Sequence, residues 1–374
     1  MENGDVYKGE YEGWYCVPDE TFFTDLQLKD GKCPDCGREV VRLKESTHFF
    51  KLSAYQDKLL AMYRDNPEFL SPKLRADEII NRVKEGLKDI SITRATVKWG
   101  VPFDNEHTVY VWVDALLNYI SALNWPDGDK FKDFWPADVH MVGKEINWFH
   151  SVIWPAMLLS AKMELPKKVF AHGWWTVNGK KMSKSLNNFV DPLDIIKRYS
   201  TDALRYFLIR EMPFGYDGDF SEESLKSKIN SELLGDLGNL VNRVLTLAEN
   251  SKLQKFTGKN ELESNLNLPN IEEKMERLEL YEALEGIMAF VRHCNKYVND
   301  KRPWSLQGKE LEEVLYNLLE SLRVISILLY PFIPTTSEKI AEKLGTEKPQ
   351  LANCKFRSEF NTKLTKGDLL FKKV

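Results

Sequence analysis

Near residue 222 the hydrophobic period of this chain changes, and that change bounds what it can fold into. Beyond it, Leu233, Leu237, Leu240, Val241, Val244 and Leu245 recur at helical spacing; Tyr281, Leu284, Met288 and Val291 make a second stripe. Leu311, Leu315, Leu318, Leu322, Ile325 and Leu329 make a third. Amphipathic helices of this length cannot bury their stripes alone, so residues 222–345 are expected to form an α-helical bundle. Between 108 and 200 the pattern differs. Short β-rich runs (Thr108 to Val113, Val139 to Val142, Val169 to His172, Trp174 to Val177) alternate with helical stretches such as 146–162. Strand, helix, strand predicts a parallel sheet, so the fold class is α/β plus all-α.

Residues 1 to about 45 are polar and turn-rich, with a tight Cys-Pro-Asp-Cys-Gly step at 33–37, which suits a small metal-stapled insertion. From 53 to 90 the spacing of Leu59, Leu60, Met62, Tyr63, Ile79, Ile80, Val83 and Leu87 is helical, interrupted at Asn66-Pro67 and Ser71-Pro72. Asn178-Gly179 marks a tight turn, and Asp191-Pro192 starts a helix, with a basic loop between them. The tail 346–374 is irregular and lysine-rich, and Asp368 to Phe371 is expected to form a terminal strand.

A net charge of −4 over 374 residues gives no global pull toward a polyanion, so nucleic-acid contact must come from particular side chains. No run of 18 apolar residues occurs, and the start MENGDVYKGEYEG is acidic and polar; the expectation is an unanchored, cytoplasmic protein without membrane contact. Of five cysteines, three crowd at Cys16, Cys33 and Cys36, which fits a reduced compartment and a metal site better than disulfides.

The most specific string is Lys181-Met182-Ser183-Lys184-Ser185, which chance would place in a chain of this size about once in ten thousand. Two lysines on a mobile loop after a turn can close over a triphosphate and neutralise the charge that builds as pyrophosphate leaves. This pentapeptide is similar to the signature loop of class I aminoacyl-tRNA synthetases. The runs Tyr110 to Tyr119 (YVWVDALLNY) and Gly143 to Pro155 (GKEINWFHSVIWP) resemble the methionyl-tRNA synthetase family closely. A leucine stands at Leu116, where some members would have proline.

The resemblance implies a ligase that activates methionine with ATP and Mg2+ to methionyl-adenylate and passes it to tRNA(Met). It places methionine among Trp112, Ala115, Leu116, Tyr119, Ile146, His150 and Trp154. His150 and Trp154 share a helical face, and Tyr119 or His150 can tell sulfur from methylene. ATP would lie near Gly143, Lys144 and Glu145, with its phosphates held by Lys181, Met182, Ser183, Lys184 and Ser185 and with Arg94 as a catalytic-site charge. Asn295 lies in an apolar stripe and needs a partner, and Trp304 beside Pro303 is a stacking platform for an unstacked base. With Asn239, Asn242 and Arg243, these residues would contact the anticodon.

In the family's zinc knuckle two Cys-x-x-Cys pairs hold the ion; here the first pair is Cys16-Val-Pro-Asp19. Three thiolates and the Asp19 carboxylate can complete a tetrahedral zinc, and loss of one thiol can equally signal loss of the metal. The implied division is a connective insertion (1–95, with the knuckle at about 7–45), the second half of a Rossmann-like catalytic domain (96–221), an anticodon-binding bundle (222–345) and a tail (346–374). None of the six histidines forms the His-x-Gly-His motif of the class, so a chain needing a separate N-terminal catalytic segment is expected. Rival readings are a synthetase for another amino acid and a non-catalytic tRNA-binding fragment or subunit.

Overall fold

Tyr7, Tyr11 and Tyr15 fall on one parity of the N-terminal segment, Val6, Trp14 and Cys16 on the other, and that alternation makes a strand. Val6–Cys16 pairs antiparallel with Val41–Phe50, from Val6 opposite Phe50 to Tyr15 opposite Val41. This corrects the expectation of a merely turn-rich stretch. The intervening Lys, Glu and Gly residues dilute the hydropathy without breaking the period of two.

The computed structural model describes residues 1–19, 21–23, 25–34, 36–182, 188–361 and 363–374, in two compact units, Met1–His172 and Gly173–Val374. In the first unit Thr21–Phe23 and Ile90–Ser91 complete the antiparallel sheet on either side of the long pair. A second sheet is parallel, as the alternation predicted, in the order Leu70–Ser71, Val169–His172, His140–Gly143. Helices Gln56–Asp65, Lys73–Lys84, Val111–Ser121 and Trp154–Ser160 share one core with it, where Leu59, Val83, Leu116, Trp154 and Val169 are buried.

The strand expected over Thr108 to Val113 stops at Val109, and Val111–Ser121 is a helix. Local β propensity in Val-Trp-Val yields there to the burial of Leu116 and Ile120, one helical turn apart. A second departure is the π-turn Phe149–Ile153 that leads into helix Trp154–Ser160. Pro155 has no N–H to give the Ser151 carbonyl, and the Tyr63 hydroxyl donates to that oxygen instead at 2.6 Å.

In the second unit Trp175–Val177 pairs with Lys180–Lys181 and, in parallel, with Gly218–Asp219. Helix Pro192–Arg198 starts where expected, with the Asp191 carboxylate accepting from the Leu193 N–H at 2.9 Å. The bundle follows: Glu222–Lys228 continuing through the π-turn Ile229–Gly238 into Asn239–Ser251, then Leu280–Lys301, Gly308–Leu329 and Pro334–Lys343. From Val314 to Leu329 every residue is buried, so this helix is central, and the expected single stripe understates its burial. The strand expected at Asp368 to Phe371 is absent among the described residues. Lys343 Nζ takes the Asp368 carbonyl and Leu370 and Phe371 pack on the bundle, while Glu359–Phe360 is the tail's strand, paired with Phe256–Thr257. No described helix is long and apolar enough to cross a membrane.

Candidate active site

In the first unit, helix Val111–Ser121, strand His140–Gly143 and the Phe149–Ser160 segment converge on one aromatic cage. Tyr119 reaches into it from the first element, His150 and Trp154 from the third, while Leu116 is buried in the core of the same unit. The Tyr119 ring lies 4.2 Å from His140, 5.6 Å from His150 and 6.3 Å from Trp154, centroid to centroid. His150 Nδ1 donates to the Ile146 carbonyl at 2.9 Å, which leaves Nε2 as the acceptor for the Tyr119 hydroxyl at 2.8 Å. Trp112 stacks on Phe149 at 4.0 Å, and Ala115 is exposed on the same helix. His140, Trp135 and Phe149 belong to this set and were not anticipated from the sequence.

Burial drives both cage histidines toward the neutral form, His150 downward and His140 down to about 4. Trp154 Nε1 and His140 Nε2 are buried and have no hydrogen-bond partner among the described residues. Leaving such an atom unpaired costs about 1–3 kcal/mol. The pH dependence of stability follows from the histidines. Below 6.5, their ordinary value, the unfolded chain takes up protons that the folded chain refuses. The urea midpoint of the first unit is therefore expected to be highest above pH 6.5 and to fall as pH drops toward 4; an unchanged midpoint at pH 5 would contradict it.

Gly143 closes the central part of this site: it ends the strand, and Lys144–Ile146 turn at once into a 3-10 helix over which the Glu145 carboxylate folds back toward Gly143. That is the carboxyl end of a parallel strand, where open α/β sheets take ligands. Arg94 lies in strand Thr93–Arg94, donating to Ser91 Oγ and the Thr93 carbonyl, each at 2.8 Å, with its guanidinium 3.9 Å over the Tyr110 ring. Burial works against its charge, and Glu45 is among the neighbouring groups that support it.

At the other end of the first unit, Cys16, Asp19, Cys33 and Cys36 come together as the sequence suggested. Asp19 Oδ2 lies 3.0 Å from Cys16 Sγ and 3.1 Å from Cys33 Sγ, and the Cys16 and Cys36 sulfurs are 3.5 Å apart. Gly37, at φ 72°, donates its N–H to the Cys33 carbonyl and brings the chain back, a turn that favours glycine. The thiols' hydrogen bonds hold Asp19 down to about 2, whereas burial pushes the Cys16 thiol up to about 12. Three sulfurs and one oxygen at these spacings fit a tetrahedral zinc, with no open position for chemistry.

In the second unit, Asn178 (φ 53°) and Gly179 (φ 68°) form the two-residue turn of the hairpin that carries Lys181 and Met182. Asp219 buttresses it, accepting from Thr176 Oγ1 at 2.7 Å and the Gly179 N–H at 2.9 Å. Ser183, Lys184 and Ser185 lie outside the described residues. In the bundle, Asn295 finds its partner: Nδ2 donates to the Asp236 carbonyl at 3.0 Å, in the π-turn. Arg243 donates to Asn299 Oδ1 at 2.7 Å, Asn239 Nδ2 to the Gly235 carbonyl at 2.9 Å, and the Asn242 carbonyl accepts from Thr246. Arg302 ends helix Leu280–Lys301 in the left-handed conformation, Pro303 is buried, and Trp304 stands 60% exposed.

Comparison with known proteins bears on this arrangement. A family model described as "tRNA synthetases class I (M)" matches residues 1–46 and 38–245, and one for the "Anticodon-binding domain of tRNA ligase" matches 265–372. The methionine–tRNA ligase of Caldanaerobacter subterraneus subsp. tengcongensis is 49% identical over all of this chain and 62% of its own length. That of Thermotoga maritima is 47% identical over 100% and 63%. The chain thus spans less than two thirds of these relatives. Mycobacterium tuberculosis methionyl-tRNA synthetase in complex with methionyl-adenylate superposes with a TM-score of 0.91 at 38% identity, over 99% of this chain and 78% of that one. By its matched residues, its fold and these likenesses, the chain belongs to the methionine branch of the class I tRNA synthetases.

Proposed function

We propose that the chain supplies the methionine-binding, phosphate-binding and anticodon-reading parts of a methionine–tRNA ligase. The observation that carries this reading is the Tyr119–His150 hydrogen bond, set among Trp154, His140 and Trp135. A hydroxyl fixed by a neutral imidazole and walled by aromatic faces suits a thioether, which packs against rings and weakly accepts a hydrogen bond. The same assignment gives Trp112, Ala115, Leu116 and Ile146 to methionine, Gly143, Lys144 and Glu145 to ATP, and Lys181 and Lys184, with Met182, Ser183 and Ser185, to its phosphates. Arg94 adds charge to the reacting centre. In-line attack of the methionine carboxylate on the α-phosphate yields methionyl-adenylate and pyrophosphate, and the tRNA 3′ end then takes the methionyl group.

ATP brings Mg2+, to which no residue is assigned. Zinc at Cys16, Asp19, Cys33 and Cys36 would be structural. A cytoplasmic setting accords with five unpaired thiols. The functional segments are proposed as 1–95, 96–221, 222–345 and 346–374, the second of them running across the boundary between the compact units Met1–His172 and Gly173–Val374. Because no His-x-Gly-His occurs, turnover is proposed to need a further segment bearing it. The test is methionine-dependent exchange of labelled pyrophosphate into ATP, beside calorimetric titration of methionine, leucine and valine into the chain. Selective methionine binding is expected whether or not exchange occurs; equal or absent binding of all three would overturn the reading.

For the bundle, Trp304 is proposed to stack on an anticodon base, with Asn239, Asn242, Arg243, Asn295 and Pro303 shaping the surface. Stacking contributes about 1–3 kcal/mol per base, so Trp304→Ala is expected to weaken methionine-tRNA binding by roughly 10- to 100-fold. Since the side chain is exposed, thermal stability should not change. A filter-binding titration with unaltered affinity would defeat the assignment.

A further inference from the structure

Away from the cysteine cluster, His48, Asp104 and His107 bring one ligand atom each within 4.8 Å of one another. His48 comes from strand Val41–Phe50, the other two from the loop that precedes strand Thr108–Val109. Both imidazoles are buried, at 3% and 2% exposure, while the Asp104 side chain is 38% exposed and gives the cluster its opening to solvent.

The hydrogen bonds of His107 set the chemistry. Its Nε2 lies 3.1 Å from the Ser46 carbonyl, an atom that only accepts, so Nε2 carries the hydrogen. The other nitrogen, Nδ1, faces Asp104, 2.9 Å from Oδ1 and 3.1 Å from Oδ2, so either a proton or a metal ion stands between them. Asp104 already accepts, through Oδ1, the N–H groups of Glu106 and His107, each at 2.8 Å, which hold the loop in shape and the carboxyl ionised. A proton on Nδ1 would serve, but it would leave His48 Nε2, 3.7 Å from Asp104 Oδ2, without a role.

We propose that His48 Nε2, Asp104 and His107 Nδ1 form a second metal site, for zinc or another divalent d-block cation that favours imidazole. Zinc bonds of 2.0–2.2 Å at tetrahedral angles place ligand atoms about 3.4 Å apart, and the 3.1 and 3.7 Å that separate Asp104 Oδ2 from His107 Nδ1 and His48 Nε2 bracket that spacing. The hydrogen bond from His107 Nε2 to a backbone carbonyl is the outer contact that orients a metal-bound imidazole. Three protein ligands and the opening beside Asp104 leave the fourth position to water. Such an ion would clip the 103–107 loop to the antiparallel sheet, beside Thr93, whose hydroxyl accepts the His48 backbone N–H at 2.9 Å.

The experiment loads the intact chain with zinc, dialyses it and counts metal by mass spectrometry, then repeats the loading with cobalt(II) and records its absorption. Asp104→Asn keeps the loop's hydrogen-bond acceptor, and His48→Gln serves as a second variant. In each, the metal count is expected to fall by about one equivalent, with any cobalt–thiolate charge-transfer band from the cysteine cluster unchanged. A metal count in both variants equal to that of the parent chain would overturn the proposal.

Discussion

Trp154→Ala is expected to cost the chain both methionine binding and much of the stability of its first unit. The indole is 1% exposed and faces Tyr119 at 6.3 Å and Trp135 at 6.1 Å. Removing a buried tryptophan typically destabilises by about 3–5 kcal/mol, through lost transfer energy and the cavity left behind. In the proposed role it also deletes the largest wall of the methionine cage, which should weaken methionine by roughly 100-fold, about 2.7 kcal/mol. Folding and binding losses are separated by Tyr119→Phe. That change keeps the ring and drops only the hydroxyl on His150, so the urea midpoint should fall by the equivalent of about 1–3 kcal/mol for an unpaired His150 Nε2, less than in Trp154→Ala, while preference for methionine over norleucine narrows by about tenfold. If calorimetry gives Tyr119→Phe the parent's preference, the hydroxyl does not read sulfur. If Trp154→Ala binds methionine as the parent does at a temperature where it is folded, the cage is only core.

What the sequence disclosed, it disclosed through local rules. Asn178-Gly179 makes its turn because both residues accept positive φ, and Asp191-Pro192 caps its helix because the carboxylate reaches a nearby N–H. Leu116 and Ile120 share a buried face because four residues return to the same side of a helix. His140 and Trp135 escaped because they join the cage from a strand and a loop, by contacts that no fixed spacing encodes. The π-turn at Phe149–Ile153 had a signal, Pro155 inside an otherwise helical run, whose consequence for Ser151 depends on Tyr63, 88 positions earlier. For Val111–Val113 propensity pointed the wrong way, since burial of the far face outweighs a few tenths of a kcal/mol per residue. The tail at 368–371 looked like a strand, yet its described backbone is taken up by Lys343 and by packing rather than by a sheet edge.

The second large effect is expected in the bundle, at Glu320. It is fully buried, as is Arg323 to within 2%, and the pair is bidentate, with Nε to Oε2 at 2.9 Å and Nη2 to Oε1 at 2.5 Å. Arg323 also donates to the Asn353 and Lys355 carbonyls, and the Arg357 N–H donates to Glu320 at 2.6 Å, so the pair fastens residues 353–357 to the central helix. Glu320→Ala leaves a guanidinium in the core without its counter-charge, which costs about 3–5 kcal/mol. For a unit of about 200 residues that lowers the melting midpoint by roughly 10 °C. The pair itself contributes less than its breakage suggests, because desolvating two ions offsets most of their attraction. A double variant, Glu320→Leu with Arg323→Met, should therefore recover about half of the loss, the remainder reflecting carbonyls at 353 and 355 left without donors. Proteolysis near 353–357 is expected to quicken in Glu320→Ala before global unfolding sets in, since the fastening is local. Should the double variant melt no higher than Glu320→Ala, the cost would lie in lost packing and tail contacts, and the unpaired charge would not be its source.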